Sequence, residues 1–227
     1  MQINQDEILR STEEDFMDYT GGEGHLLFEN EFSKRLEVLR RNYGDVEAFG
    51  SWEHLQSLVY YASLDSSKDV DKIFEVLRHI ESGEKVLDYG CGVGTWTFMM
   101  RGFGYDVVGA CDIEGQALEF VRWRNRKHRS RIDIFPIPWT NLPEFDCLVA
   151  IYTLDYEQNE NTIVELCTKA SKIVCLLLDH YNHPYTSALP GVSGDFSSSG
   201  ERVRNIILGC GYKKIDTGNP VELFIRK

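Results

Sequence analysis

The sequence predicts an α/β fold: a doubly wound, mostly parallel, seven-stranded sheet with an N-terminal helical extension. Three observations carry that expectation. An apolar run, KVLDY, passes through a glycine-broken turn, GCGVGT, into a helical stretch and then a second apolar run, VVGACD. Strand-like runs and helical patterns then alternate along the rest of the chain, the order that builds a parallel sheet. About the first 80 residues, in contrast, lack period-2 alternation and carry apolar residues at helical spacing. The expected division is a helical extension or lid over 1–82 and the sheet domain over 83–227.

Taken in order, residues 3–19 hold Ile3, Ile8, Leu9, Phe16 and Met17 among acids and read as a helix, closed by the flexible TGGEG at 20–24. Residues 25–42 (Leu26, Leu27, Phe32, Leu36, Leu39) and 51–64 (Trp52, Leu55, Leu58, Val59, Ala62) read as two more. Ser67 suits the N-cap of a helix through Ile80, with Val70, Ile73, Phe74 and Leu77 on one face. The first two strands follow. A helix is expected from about Gly115 to Arg129 and a third strand over about Ile132–Ile137. PWTNLPEF is a loop, residues 146–152 a fourth strand, 160–171 a helix, and 173–179 an all-apolar run suited to a central parallel strand. Residues 180–200 read as a long loop rich in turn formers. A helix at 201–208 precedes YKKIDTGNPVELFIRK, which reads as a hairpin-like closing pair.

The turn after the first strand is the most informative part. Where a strand hands over to a helix, the first backbone N–H groups of the helix lack partners and the helix dipole is positive. Gly90, Gly92 and Gly94 keep side chains out of that turn, so a ligand can lie against bare backbone. Asp112 closes the second strand 24 residues after Asp88, near the spacing at which an acid meets ribose hydroxyls in βαβ nucleotide folds. The pattern departs from a dinucleotide fingerprint, whose third glycine falls where this chain has Thr95. Asp88, two residues before the first glycine, would repel a pyrophosphate and suit an ammonium. A nucleoside joined to an amino acid describes S-adenosylmethionine.

With these residues, VLDYGCGVGT followed by VVGACDI resembles motif I and the following acidic motif of the class I S-adenosylmethionine-dependent methyltransferases. The resemblance extends more weakly over 83–227. It implies that Asp88 and the backbone of Gly90, Cys91 and Gly92 hold the methionine end, that Asp112 takes the ribose hydroxyls, and that Ile113 lies against the adenine. Many relatives supply an acid or amide to the adenine from the loop after the third strand. Here that loop reads PIPWTNLP, leaving Trp139, Thr140 or Asn141, with Trp139 equally readable as a core aromatic. Ile151 completes the expected cofactor set. The acceptor side is framed by Ile151, Tyr152, Asp155 and Tyr156, then His180, Tyr181 and His183, with Tyr19 and His25 beside TGGEG. His180 is the first choice for a base, Asp155 for orienting the acceptor, and Tyr156 accompanies them; each has a plain packing, capping or solvated alternative.

Composition narrows the reading. A chain of 227 residues, 42% hydrophobic, can bury one substantial core. No apolar run reaches the roughly 18 residues of a membrane span. The acidic start MQINQDEILRSTEEDF argues against a secretory or transit signal. Six cysteines, Cys91, Cys111, Cys147, Cys167, Cys175 and Cys210, are scattered singly; a reduced cytoplasm fits, and neither disulfides nor metal ligation are implied. The net charge of −12 opposes nucleic-acid binding. RWRNRKHRSR, residues 122–131, is a local exception, read as the exposed face and C-terminal end of a helix rather than a phosphate-contacting stripe. The expected activity is methyl transfer to a small-molecule acceptor at nitrogen or oxygen. A protein or peptide methyltransferase and a cyclase or lyase consuming S-adenosylmethionine are the alternatives.

Overall fold

The computed structural model describes residues 5–22, 55, 59, 71–139, 141–177 and 196–227. Among these, seven strands form one sheet: β1 (Lys85–Tyr89), β2 (Asp106–Ile113), β3 (Asp133–Ile137), β4 (Cys147–Ile151), β5 (Lys172–Leu176), β6 (Tyr212–Ile215) and β7 (Glu222–Arg226). Their order is β3-β2-β1-β4-β5-β7-β6. The first five are parallel and β7 runs antiparallel to β5 and to β6. The helices are α1 (Gln5–Tyr19), α2 (Thr95–Gly102), α3 (Gln116–Lys127), α4 (Glu160–Lys169) and α5 (Phe196–Gly209), with a helical stretch over 71–77 and a 3-10 turn at Leu154–Tyr156.

Strand composition follows position in the sheet. The central strands β4 and β5 are buried at every residue, as near-continuous apolar runs between two helical layers must be. β3 is an edge strand and half-buried. It tolerates Pro136 because an edge residue can lack an amide donor. Alternation sorts the central strands between two cores. Val86, Val149, Ile151, Val174 and Leu176 meet the 71–77 stretch, α2 and α3 on one face. Leu87, Tyr89, Leu148, Ala150, Ile173 and Cys175 meet α4 and α5 on the other. Five of the six cysteines are buried in this packing.

α1 is joined to the sheet domain through a third cluster. Phe16 packs edge-on against Phe120 of α3, with Val93 and Ala117 beside it. Leu55 and Val59, one helical turn apart, are helical and buried in the same cluster. The rest of the expected helices at 25–42 and 51–64, together with Ser67 and Val70, lies outside the described residues.

Several boundaries differ from expectation. The helix expected at 201–208 already starts at Phe196, inside the segment read as loop, because serines that suit turns also suit helix starts. β5 ends at Leu176 rather than 179. The helix expected to Ile80 breaks into a turn over 78–80. None of the described helices is long and apolar enough to cross a membrane.

Candidate functional site

The chain leaves β1 toward β2 and β3 on one flank, then returns to β4 on the other. The crevice above the carboxyl ends of β1 and β4 is where open α/β sheets receive ligands. The glycine turn lies there, between β1 and α2. Gly90, Gly92 and Gly94 all have positive φ (72°, 55° and 78°), a region costly for any residue with a Cβ. Their backbone is tied to β2: the N–H groups of Gly90 and Cys91 donate to the Cys111 carbonyl at 2.8 and 3.0 Å. The Gly92 N–H donates to Asp112 Oδ2 at 2.6 Å, and the Ile113 N–H to Asp112 Oδ1 at 2.7 Å. Asp112 therefore braces the turn; a carboxylate has further lone pairs with which to accept from a ligand.

Asp88 points to the α2 face by strand alternation and is buried. Thr97 Oγ1 donates to its Oδ2 at 2.5 Å, across the first turn of α2. Burial pushes the Asp88 carboxyl up to about 7; the Thr97 hydroxyl and N–H act against this, and the charge of Asp112 adds to it. Burial also raises Asp112, against the two N–H groups it accepts from, and lifts the Cys91 and Cys111 thiols. The turn is thus acid-rich, and a cation placed in it would relieve two buried carboxyls.

Three features suit a ligand with a small zwitterionic end. The N-cap of α2 is Gly94, which offers no side-chain cap, so the helix start keeps orphan donors facing the turn. Thr95 Oγ1 is buried there with no hydrogen-bond partner among the described residues. A Cβ on Gly90 would meet the Thr153 side chain at 2.0 Å. Gly90→Ala is accordingly expected to cost at least about 2 kcal/mol of stability, from the left-handed φ and the clash together. Urea unfolding checks this; a wild-type midpoint would show that Thr153 can yield.

The other expected residues distribute as follows. Ile113 ends β2 half-buried, and Ile151 ends β4 buried. Trp139 meets Tyr89 edge-on at 5.8 Å and donates its indole N–H to Glu165 Oε1 at 3.2 Å, a packing arrangement on the α4 side. Asp155 is buried and Tyr156 half-buried in the 3-10 turn after β4. Asp155 is not the cap of α4: Asn159 is, accepting from the Asn161 N–H. Thr140, His25, His180, Tyr181 and His183 lie outside the described residues; Asn141, beside Thr140, is exposed.

One residue at the crevice escaped the sequence reading, and another, expected there, takes a backbone conformation that reading did not foresee. Thr153 donates to the Ile151 carbonyl at 3.0 Å and to the Gly90 carbonyl at 3.3 Å, joining the ends of β4 and β1. Tyr152, expected to frame the acceptor side, takes φ 57° and donates its N–H to the Leu176 carbonyl. A non-glycine residue held left-handed beside a ligand crevice marks a strained corner. No local pattern announces either.

The basic stripe is corrected. Arg124 is not on an exposed face: it is buried and paired with Asp15 of α1, while Arg122 bonds Glu114 and Glu119, and Lys127 bonds Asp15 and Asp18. A helical count would have found it, since Ala117, Phe120, Val121 and Arg124 fall at i, i+3, i+4 and i+7 on one face.

Comparison with known proteins agrees with this geometry. A family described as methyltransferase domain matches residues 86–174, from β1 into β5. The ribosomal protein L11 methyltransferase of Paraburkholderia xenovorans (strain LB400) is 34% identical over 73 residues, 32% of this chain and 24% of that protein. The chain thus spans about a quarter of the length of the curated relatives it matches. A methyltransferase of Aquifex aeolicus dependent on S-adenosylmethionine superposes with a TM-score of 0.54 at 14% identity, covering 74% of this chain and 97% of that one. Magnesium protoporphyrin IX methyltransferase from Synechocystis PCC 6803, solved with its donor bound, gives 0.52 at 13% identity, over 85% and 97%. At these identities the structural likeness is one of fold. The match over 86–174 is to a methyltransferase domain, and the fold is the one these S-adenosylmethionine-dependent methyltransferases share.

Proposed function

We propose that this chain transfers a methyl group from S-adenosylmethionine to the nitrogen or oxygen of a small-molecule acceptor, in the cytoplasm. The observation that carries the donor half is the braced glycine turn, with the uncapped start of α2 and the orphaned Thr95 hydroxyl beside it. Bound there, S-adenosylmethionine supplies an electrophilic methyl on a sulfonium. In this reading the α2 start and Thr95 receive the methionine carboxylate, the backbone of Gly90, Cys91 and Gly92, whose N–H groups are held by β2, lies against the methionine end, and Asp88 balances its ammonium. Asp112 accepts from the ribose hydroxyls while bracing the turn, Ile113 and Ile151 flank the adenosine, and Trp139 or Thr140 borders the adenine.

Transfer from a sulfonium is an in-line displacement with a neutral leaving group, so alignment and exclusion of water are what the chain must provide. Asp155 and Tyr156, just past the end of β4, orient the acceptor, and His180 takes its proton. Residues 1–82 act as a helical extension over the domain of 83–227. The net charge of −12 disfavours a nucleic-acid acceptor.

One observation favours a second reading, a protein acceptor: the similarity to a ribosomal protein methyltransferase over 73 residues. Incubation with S-adenosylmethionine separates the possibilities by mass spectrometry. S-adenosylhomocysteine should accumulate with a fraction of small metabolites and not with the cofactor alone. Accumulation only with a protein fraction would favour the second reading. Methylthioadenosine formed without any acceptor would replace transfer by a cyclase or lyase reaction.

Asp112→Ala is expected to weaken cofactor binding by about 1.5–3 kcal/mol, because a charged acceptor is lost. The Gly92 N–H is released by the same change. Calorimetric affinity equal to wild type would remove Asp112 from the donor site.

A further inference from the structure

Arg124 joins two parts of the molecule that the donor reading treats separately. Its Nε donates to Asp15 Oδ2 of α1 at 2.8 Å, and its Nη1 donates to the Val93 carbonyl, inside the glycine turn, also at 2.8 Å. The guanidinium is 1% exposed and the Asp15 carboxylate 2%. The Phe98 ring lies 4.5 Å below the guanidinium carbon, and Phe120 lies at 5.6 Å. Asp15 also receives Lys127 Nζ at 2.8 Å and faces His128 Nε2 at 2.7 Å.

The Val93 carbonyl and the Gly94 N–H belong to one rigid peptide plane. Arg124 holds its oxygen, and the Cys91 carbonyl receives its N–H at 2.8 Å. This plane leads into Gly94, the N-cap of α2, so its tilt bears on where the orphan donors of the helix start point. A planar fork can grip a carboxylate and a carbonyl at once, whereas an ammonium is a single point. Without Asp15 the buried guanidinium is uncompensated. It must then move toward water, and the carbonyl contact goes with it.

We propose that Asp15 and Arg124 are positioning residues for the donor site, through which the folding of α1 onto α3 sets the glycine turn in its cofactor-binding geometry. The inference rests on the donor reading above and extends it: docking of the N-terminal segment and cofactor affinity become reciprocally linked, as any two coupled sites must be. The N-terminal segment is then a part of the donor site, not only a covering for it.

The test uses the full chain, with S-adenosylhomocysteine as the calorimetric probe. Asp15→Asn keeps the side-chain shape and removes the charge; Arg124→Lys keeps the charge and removes the fork. Both are expected to lose roughly tenfold or more in affinity, at a temperature where circular dichroism shows them folded. In wild type the probe should also slow hydrogen exchange of the amides at 12–19, a protection that Arg124→Lys should lose. A lowered melting temperature with unchanged affinity in both variants would make the ion pair purely structural and overturn the proposal. So would a wild-type protein that binds the probe without protecting 12–19, a result available even if neither variant folds. Wild type failing to bind the probe at all would instead strike the donor reading, on which the proposal rests.

Discussion

Asp15→Ala is expected to destabilise the protein by about 3–5 kcal/mol, the cost of leaving a buried guanidinium without its carboxylate. Arg124 and Asp15 are both almost wholly buried, and their pairing bridges 109 residues of sequence. The magnitude reflects one uncompensated charge rather than the net worth of the pair. Arg124→Met in the same chain should therefore recover part of the loss, which a double-mutant cycle in urea would read. Asp18 supplies the control: it bonds the same Lys127 but is 65% exposed, so Asp18→Ala should stay within about 0.5 kcal/mol.

The effect should depend on pH in a stated direction. Burial raises the Asp15 carboxyl, but the bonds from Lys127 and His128 and the charge of Arg124 outweigh it and bring the group below its ordinary value. A carboxylate lowered on folding contributes stability above its unfolded pKa and loses it as pH falls through the folded one. The gap between wild type and Asp15→Ala should thus persist across neutral pH and narrow only below about 4. A gap that stayed unchanged well below that pH would separate the effect from the Asp15 charge.

Asp88 is expected to behave in the opposite sense. Its carboxyl titrates near 7 in the fold, from burial above all, against 3.8 for an ordinary aspartate. Below about pH 4 both states carry the proton and the group has no pH-dependent cost. Between about 4 and 7 the unfolded chain ionises while the folded one does not, so stability falls as pH rises, and above 7 the penalty is complete. Over about three units this amounts to at most roughly 4 kcal/mol. Asp88→Asn should flatten the profile across that window, read by urea unfolding at several pH values; parallel profiles would show Asp88 ionised throughout.

Cofactor binding should couple to the same proton. An ammonium beside Asp88 favours its carboxylate, so binding near neutral pH should release protons. Calorimetry in two buffers of different ionisation enthalpy would then give different heats for wild type and equal heats for Asp88→Asn. Equal heats for both would mean that Asp88 does not meet the ammonium.

Much of this was legible in the chain itself. KVLDY, the alternating glycines and VVGACDI are contiguous, and their periods of two and 3.6 residues follow from backbone geometry alone. The seven-stranded sheet and its antiparallel end pair were likewise expected, and β1 through β7 form that sheet. Element ends were less legible, as at Phe196, since serines serve turns and helix starts alike.

By itself, then, the sequence determined the strand–turn–helix unit and the sheet, because each is encoded in neighbouring residues. Only the tertiary structure decided that Arg124 lies buried under α1, that Thr153 closes on Gly90, and that Asp88 is buried and bonded to Thr97. The first two contacts join residues 109 and 63 positions apart. No local period reports such a meeting. It depends on how the sheet order folds the chain back on itself, and burial there turns ordinary charges into consequential ones.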